Sequence, residues 1–226
     1  SVRRYVSYIK AMNEKLPTKS SRAEVEAFLE KVRRMPQVRT EGRGRLVFAM
    51  DATASRAPTW DRACRIQGEM FEATAALGGL EIQLVYYRGF AECKASRWLT
   101  SASELHAAMS SVSCVGGQTQ IERVLNHIAK EARAKKVNAA VFVGDAMEES
   151  HDRLAHLAGE LGLLGVPVFV FHEGGDPVAA RAFQDIARLS KGAYCPFDSG
   201  SAQQLKELLG AVAAYAAGGR PALESY

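Results

Sequence analysis

The segment RLVFAMD, Arg45 to Asp51, is a near-continuous apolar run that stops on a carboxylate. A run without polar alternation suits a central parallel strand covered on both faces. The pattern then repeats. EIQLVYYRG (81–89), AAVFVGD (139–145) and VPVFVFHEG (166–174) read as further strands, CKASRWLT (93–100) as a short polar edge strand, and AYCPF (193–197) as a last short strand. Segments of helical spacing separate them: Pro58 to about Leu77, then 101–112, 121–136, 150–165, 177–192 and 201–219. In 121–136 the apolar residues Ile121, Val124, Leu125 and Ile128 follow the i, i+3, i+4, i+7 rule. Such alternation predicts an α/β fold: a doubly wound, mostly parallel six-stranded sheet with helices on both faces. In the common strand order 3-2-1-4-5-6, ligands bind beyond the carboxyl ends of the strands, where the order reverses between the first and fourth.

Residues 1–44 read as a basic helical extension and linker, 45–219 as the α/β domain and 220–226 as a tail. Within the extension, SSRAEVEAFLEKVRRM places Val25, Phe28, Leu29 and Val32 on one helical stripe, with Ser21 and Glu24 at capping-box spacing. RTEGRGR (39–45) is polar and Gly-containing, as a linker would be.

Composition sets outer limits. Of 226 residues, 47% are apolar and 24% charged, ordinary for a globular domain. No apolar run reaches the roughly 20 residues of a membrane span. Residues 1–45 hold 12 Lys and Arg against 5 Asp and Glu, and the rest 17 against 20. No aromatic or Gly-rich nucleic-acid motif accompanies that basic surplus, so a solvated helical surface explains it better than nucleic-acid binding. Cys64, Cys93, Cys114 and Cys195 are scattered with no C-x-x-C pair, which disfavours a zinc site and fits free thiols in the cytoplasm.

Function is concentrated where the first strand ends. In DATAS, Asp51, Thr53 and Ser55 stand at i, i+2 and i+4, and in extended backbone they share one side. Asp145 ends the fourth strand, and Thr119 lies in VGGQTQI, where Gly116 and Gly117 permit close backbone approach. These five side chains offer oxygen alone, which favours Mg²⁺, with Mn²⁺ or Ca²⁺ also accommodated, over zinc or copper. Taken singly, each has a plainer reading: Asp51 as a cap, Asp145 as a strand-end acid, DATAS as a hydroxyl-rich turn.

From Arg45 to Gly218 the sequence resembles a von Willebrand factor type A (vWA) domain, and the three segments resemble its metal-ion-dependent adhesion site, or MIDAS. DATAS stands for the D-x-S-x-S pattern, GGQT for the Thr loop and FVGD for the fourth-strand Asp. Thr53 replaces the first Ser, and Ala146 follows Asp145 where the family usually has Gly. The resemblance implies a non-enzymatic interaction module. Thr53 and Ser55 would bind the cation directly, Asp51 and Asp145 mostly through water, and Thr119 either way. An open coordination position would take an Asp or Glu of a partner protein, in settings that include assemblies with AAA+ ATPases. Trp60, just past the metal loop, is a candidate partner contact or a helix–sheet packing residue.

Two other readings compete. A haloacid-dehalogenase-like phosphohydrolase also ends its first strand on an Asp beside Mg²⁺, but needs a second acid at i+2, where Thr53 stands here. A structural domain with a vestigial site is the other. His151 and His156 are expected at the surface, Cys114 as an idle thiol, and Glu148 and Glu149 as a solvated helix start.

Overall fold

A computed structural model describes residues 22–36, 42–56, 79–197 and 202–218. The helix expected over 58–77, Cys64, Trp60, Ser21 and the capping box it would form lie outside the described residues.

Strands β1 (Gly44–Asp51), β2 (Leu80–Arg88), β3 (Glu92–Ala95), β4 (Ala139–Gly144), β5 (Val168–Glu173) and β6 (Tyr194–Phe197) form one sheet in the order β3-β2-β1-β4-β5-β6. All pairings are parallel except β2 with β3. The order is the one read from the sequence, and β1 is buried along its whole length. The polar edge strand is shorter than expected. β3 ends at Ala95; the Ser96 amide then donates to the Leu84 carbonyl while its hydroxyl accepts from the Leu84 amide, and Leu99 rejoins the sheet through a bridge to Ile82.

Strand periodicity divides the core in two. Leu46, Phe48 and Met50 point to one face with Phe169 and Phe171, and are covered by helices α1 (Arg22–Arg34), α2 (Ala102–Ser110) and α6 (Ala202–Gly218). Val47, Ala49, Tyr87 and Phe142 point to the other, beneath α3 (Ile121–Ala134), α4 (His151–Leu163) and α5 (Pro177–Leu189). Local signals start these helices. Ser101 accepts from the Glu104 amide before α2, and Asp176 accepts from Val178 and Ala179 before α5, whose first residue is Pro177.

The apolar stripe of α1 is seated in the core rather than held apart. Val25, Phe28 and Val32 are buried, and the Phe28 ring lies 5.9 Å from Phe169 and 5.4 Å from Phe171. Arg45 is likewise not part of a solvated basic arm. It is 5% exposed, with its guanidinium 3.7 Å over the Trp98 ring, 3.2 Å from Glu131 and donating to the Lys135 carbonyl at 2.7 Å. That lock sits at the amino end of β1, opposite Asp51.

Phe28→Ala is expected to cost about 3–5 kcal/mol, the usual range for emptying a buried aromatic site, with a single cooperative transition in urea. An unchanged midpoint, or a separate early transition for α1, would show that this helix is not part of the core.

Candidate metal centre

The sheet brings the chemistry to one edge. Met50 pairs with Val143, so Asp51 and Asp145 leave adjacent strands at the same end. The chain gives up extended geometry at Ala52, and a single 3-10 turn, Ala54–Arg56, follows. The expected extended spacing through Ser55 therefore does not hold. Instead Asp51 Oδ1 accepts the Thr53 amide at 2.7 Å, a turn closed by the carboxylate itself. The turn still brings the Thr53 and Ser55 hydroxyls to 3.1 Å from each other. Thr53 is buried and Ser55 exposed, so the pair runs from the interior to the surface.

Asp51 is fully buried, and its other oxygen accepts from the Tyr87 hydroxyl at 2.9 Å. Tyr87 is the β2 residue in register with Asp51, and its ring stacks on Phe142. Burial raises the Asp51 carboxyl above the ordinary carboxylate range; bonds from Thr53 and Tyr87 oppose the rise, and the Asp145 charge adds to it. The fold thus binds this proton more tightly than the unfolded chain does. Above the raised value the ionised carboxylate costs stability, and a nearby positive charge would relieve that cost.

Asp145 supplies the second half of the argument. It is half-buried, and its Oδ1 is buried with no hydrogen-bond partner among the described residues. A buried carboxylate oxygen is expensive unless a hydrogen-bond donor, a water or a cation serves it.

The Thr119 loop is tied to the residues that follow β1 and β2. Val115 donates to the Ala52 carbonyl at 3.1 Å, and Gln118 to the Gly89 carbonyl at 3.1 Å. Gly117 makes the second approach possible, since a Cβ there would sit 2.0 Å from the Gly89 oxygen. Gly116 faces open space and is not required in the same way. Thr119 is buried, and its Oγ1 accepts from the Glu148 amide while its own amide donates to Glu148 Oε2, each at 3.1 Å. A hydroxyl oxygen has two lone pairs, so one remains for a cation.

Glu148 and Glu149 are therefore not a merely solvated helix start. Glu149 accepts from Ile121 and Glu122 at 2.6 and 2.9 Å, and so caps α3, the helix that follows Thr119. Its charge also faces the positive end of that helix. Sequence reasoning missed this role because the cap comes from 28 residues downstream, with no local capping motif. It also missed Tyr87, whose position in an apolar strand gives no sign of a polar task. Among the other candidates, His156 is exposed as expected, whereas His151 is half-buried and sits 2.9 Å from Asp185.

Asp51 thus ends β1 with Thr53 and Ser55 just after it, Asp145 follows β4, and the Thr119 loop is bonded to Ala52 and to Glu148: two carboxylates and three hydroxyls in all. Among the described residues no group of three or more His, Cys, Asp or Glu offers a metal site of another kind. The donor set and the orphaned oxygen fit a hard divalent cation.

Glu149→Ala is expected to cost about 1–2 kcal/mol, as removal of a helix cap does, read as a lower urea midpoint. A change within a few tenths of a kcal/mol would show that the cap carries little of the loop's order.

No family model matches the chain, and no curated protein matches it. Solved structures do. Proximal thread matrix protein 1 from the mussel byssus superposes with TM-score 0.62 at 15% identity, over 76% of this chain and 46% of that one. The chain thus spans less than half of the mussel protein, a further structure of which has a zinc-occupied MIDAS motif. The SpRpn10 VWA domain matches with TM-score 0.56 at 12% identity, over 74% of this chain and 93% of that one. Manganese-loaded TRAP protein of Plasmodium vivax matches with TM-score 0.57 at 14% identity, over 78% and 74%. With strand order, layers and these neighbours in agreement, the chain has the von Willebrand factor type A fold.

Proposed function

We propose that this chain is a protein-interaction module that holds a divalent cation, Mg²⁺ or Mn²⁺, at the carboxyl ends of β1 and β4 and through it binds an Asp or Glu of a partner protein. The observation that carries the reading is the buried, unpartnered Asp145 Oδ1 beside the buried, mutually repelling Asp51. Such an arrangement lacks a positive charge, and no Lys or Arg is bonded to either carboxylate among the described residues. Support for a cation also comes from the zinc-occupied MIDAS motif of the mussel protein and the manganese-loaded TRAP protein.

Each residue has a distinct part. Thr53, Ser55 and Thr119 offer neutral oxygens, which hold a cation without cancelling its charge. Asp51, with one oxygen on the Thr53 amide and the other on Tyr87, is fixed in direction and contributes charge more than a free lone pair. Asp145 brings the unpaired oxygen. A bound cation would supply residual positive charge at a rim reached by the exposed Ser55, where an incoming carboxylate gains a charge-assisted contact. Hydrolase chemistry fits less well, because the position two residues after Asp51 is Thr53, turned toward Ser55 rather than serving as an acid or base.

In thermal melts, Mg²⁺ or Mn²⁺ at 100 times its Kd is expected to stabilise the protein by about 2.7 kcal/mol. Asp145→Asn is expected to lose that gain while melting higher than wild type without metal, because a repelling buried charge is gone. A wild type indifferent to millimolar cation, or an Asn variant that keeps the full gain, would overturn the cation reading. Capture of a Glu-containing partner undiminished by EDTA would overturn the metal-dependent contact.

A further inference from the structure

A second surface beside the centre has a charge pattern of its own. Between β3 and α3 runs an open groove of about 360 Å³, floored by Val85 and Cys93 and walled by Lys94, Arg123, His127 and Lys130. No carboxylate lines it. Its first cation, Arg123, stands in the first turn of α3, four residues after Thr119 in sequence. The groove therefore starts near the rim of the centre and leads away along the sheet edge.

Of the neighbouring carboxylates, Glu92 neutralises the groove residue Lys94, and the others are bonded away from the groove. Glu92 is shared between Arg88, at 3.0 Å, and Lys94, at 2.8 Å, and those bonds hold its carboxyl down at about 2. Glu131 is taken by Arg45 and the Trp98 indole. Glu149 is spent on the α3 amides. Arg123 and Lys130, both exposed, have no carboxylate partner among the described residues; Arg123 donates to the Ala91 carbonyl, which fixes its direction without neutralising it. Burial lowers the His127 pKa, and its Nε2 is 2.8 Å from Gln83 Oε1, so it adds a polar wall rather than a charge.

We propose that this groove docks an extended acidic segment of a protein partner. The proposal extends the function above by naming what accompanies the carboxylate at the centre, yet the docking itself needs no cation. Charge complementarity selects the occupant. Arg123 and Lys130 are seven residues apart on α3, about 10 Å along its axis, a distance that three or four residues of extended chain span at about 3.3 Å each. Acidic side chains at both ends of such a stretch meet both cations. β3 is the sheet's edge and has no strand beyond it among the described residues, so an extended chain can lie alongside. Nucleic acid fits less well, because no Phe, Tyr or Trp lines the groove for a base to stack on.

The test is fluorescence polarisation of a labelled peptide of five Glu-Ser repeats, in EDTA at low salt, with the whole chain. Arg123→Glu/Lys130→Glu is expected to weaken binding at least tenfold, and Arg123→Gln/Lys130→Gln by a smaller factor. Arg33→Glu/Arg181→Glu, an equal charge change at exposed sites outside the groove, is expected to stay within twofold. Melting curves confirm that each variant folds. Equal losses in the two Glu double variants, no peptide binding by wild type, or tighter binding of an oligothymidylate through the same residues would each overturn the proposal. Because EDTA is present throughout, failure here leaves the metal-dependent melts as an independent test of the centre.

Discussion

A carboxylate shut off from the protein surface stands at the end of the central strand, and much of the surrounding structure answers to it. Asp51 is fully buried, so each of its oxygens must be served by the protein. Thr53 serves one through its backbone, which turns the chain, and Tyr87 serves the other from the neighbouring strand. The turn aligns two hydroxyls, and the strand pairing sets Asp145 close enough to repel Asp51. Two negative groups therefore stand at the carboxyl ends of adjacent strands, one with an oxygen that has no hydrogen-bond partner among the described residues.

Much of this was legible in the sequence, for identifiable reasons. β1, β4 and β5 are apolar runs because both faces of the sheet are covered, and helix α3 shows its buried stripe at regular spacing. Those local patterns were enough to place Asp51 and Asp145 on adjacent strands. The geometry of the turn was not legible: alternating hydroxyls suggested an extended chain, whereas the Asp51 bond to the Thr53 amide bends it. Nor was the use of Glu148 and Glu149, since a cap supplied by a loop far along the chain leaves no spacing signal beside the helix it serves. Arg45 shows the same limit. Counted by charge it belongs to a basic arm, but its surroundings make it a buried anchor.

The two ends of β1 divide the labour. At the amino end Arg45 is held by Glu131, the Trp98 ring and backbone carbonyls of the segment after α3. At the carboxyl end the candidate centre gathers oxygen donors. Helix α3 links the two, since its first turn is capped by Glu149 and Glu131 near its end grips Arg45. Its outward side carries Arg123 and Lys130. One helix is therefore anchored at top and bottom while displaying charge at its flank.

The reciprocal bonds between Thr119 and Glu148 have a mechanical consequence. Two loops from distant parts of the chain are stapled twice, in opposite directions, so neither slides past the other without breaking both links. Any tug on the threonine is passed to the acid-bearing loop and, through the adjoining Glu149, to the head of α3. The rim behaves as a single jaw, and force on one tooth is shared by the rest.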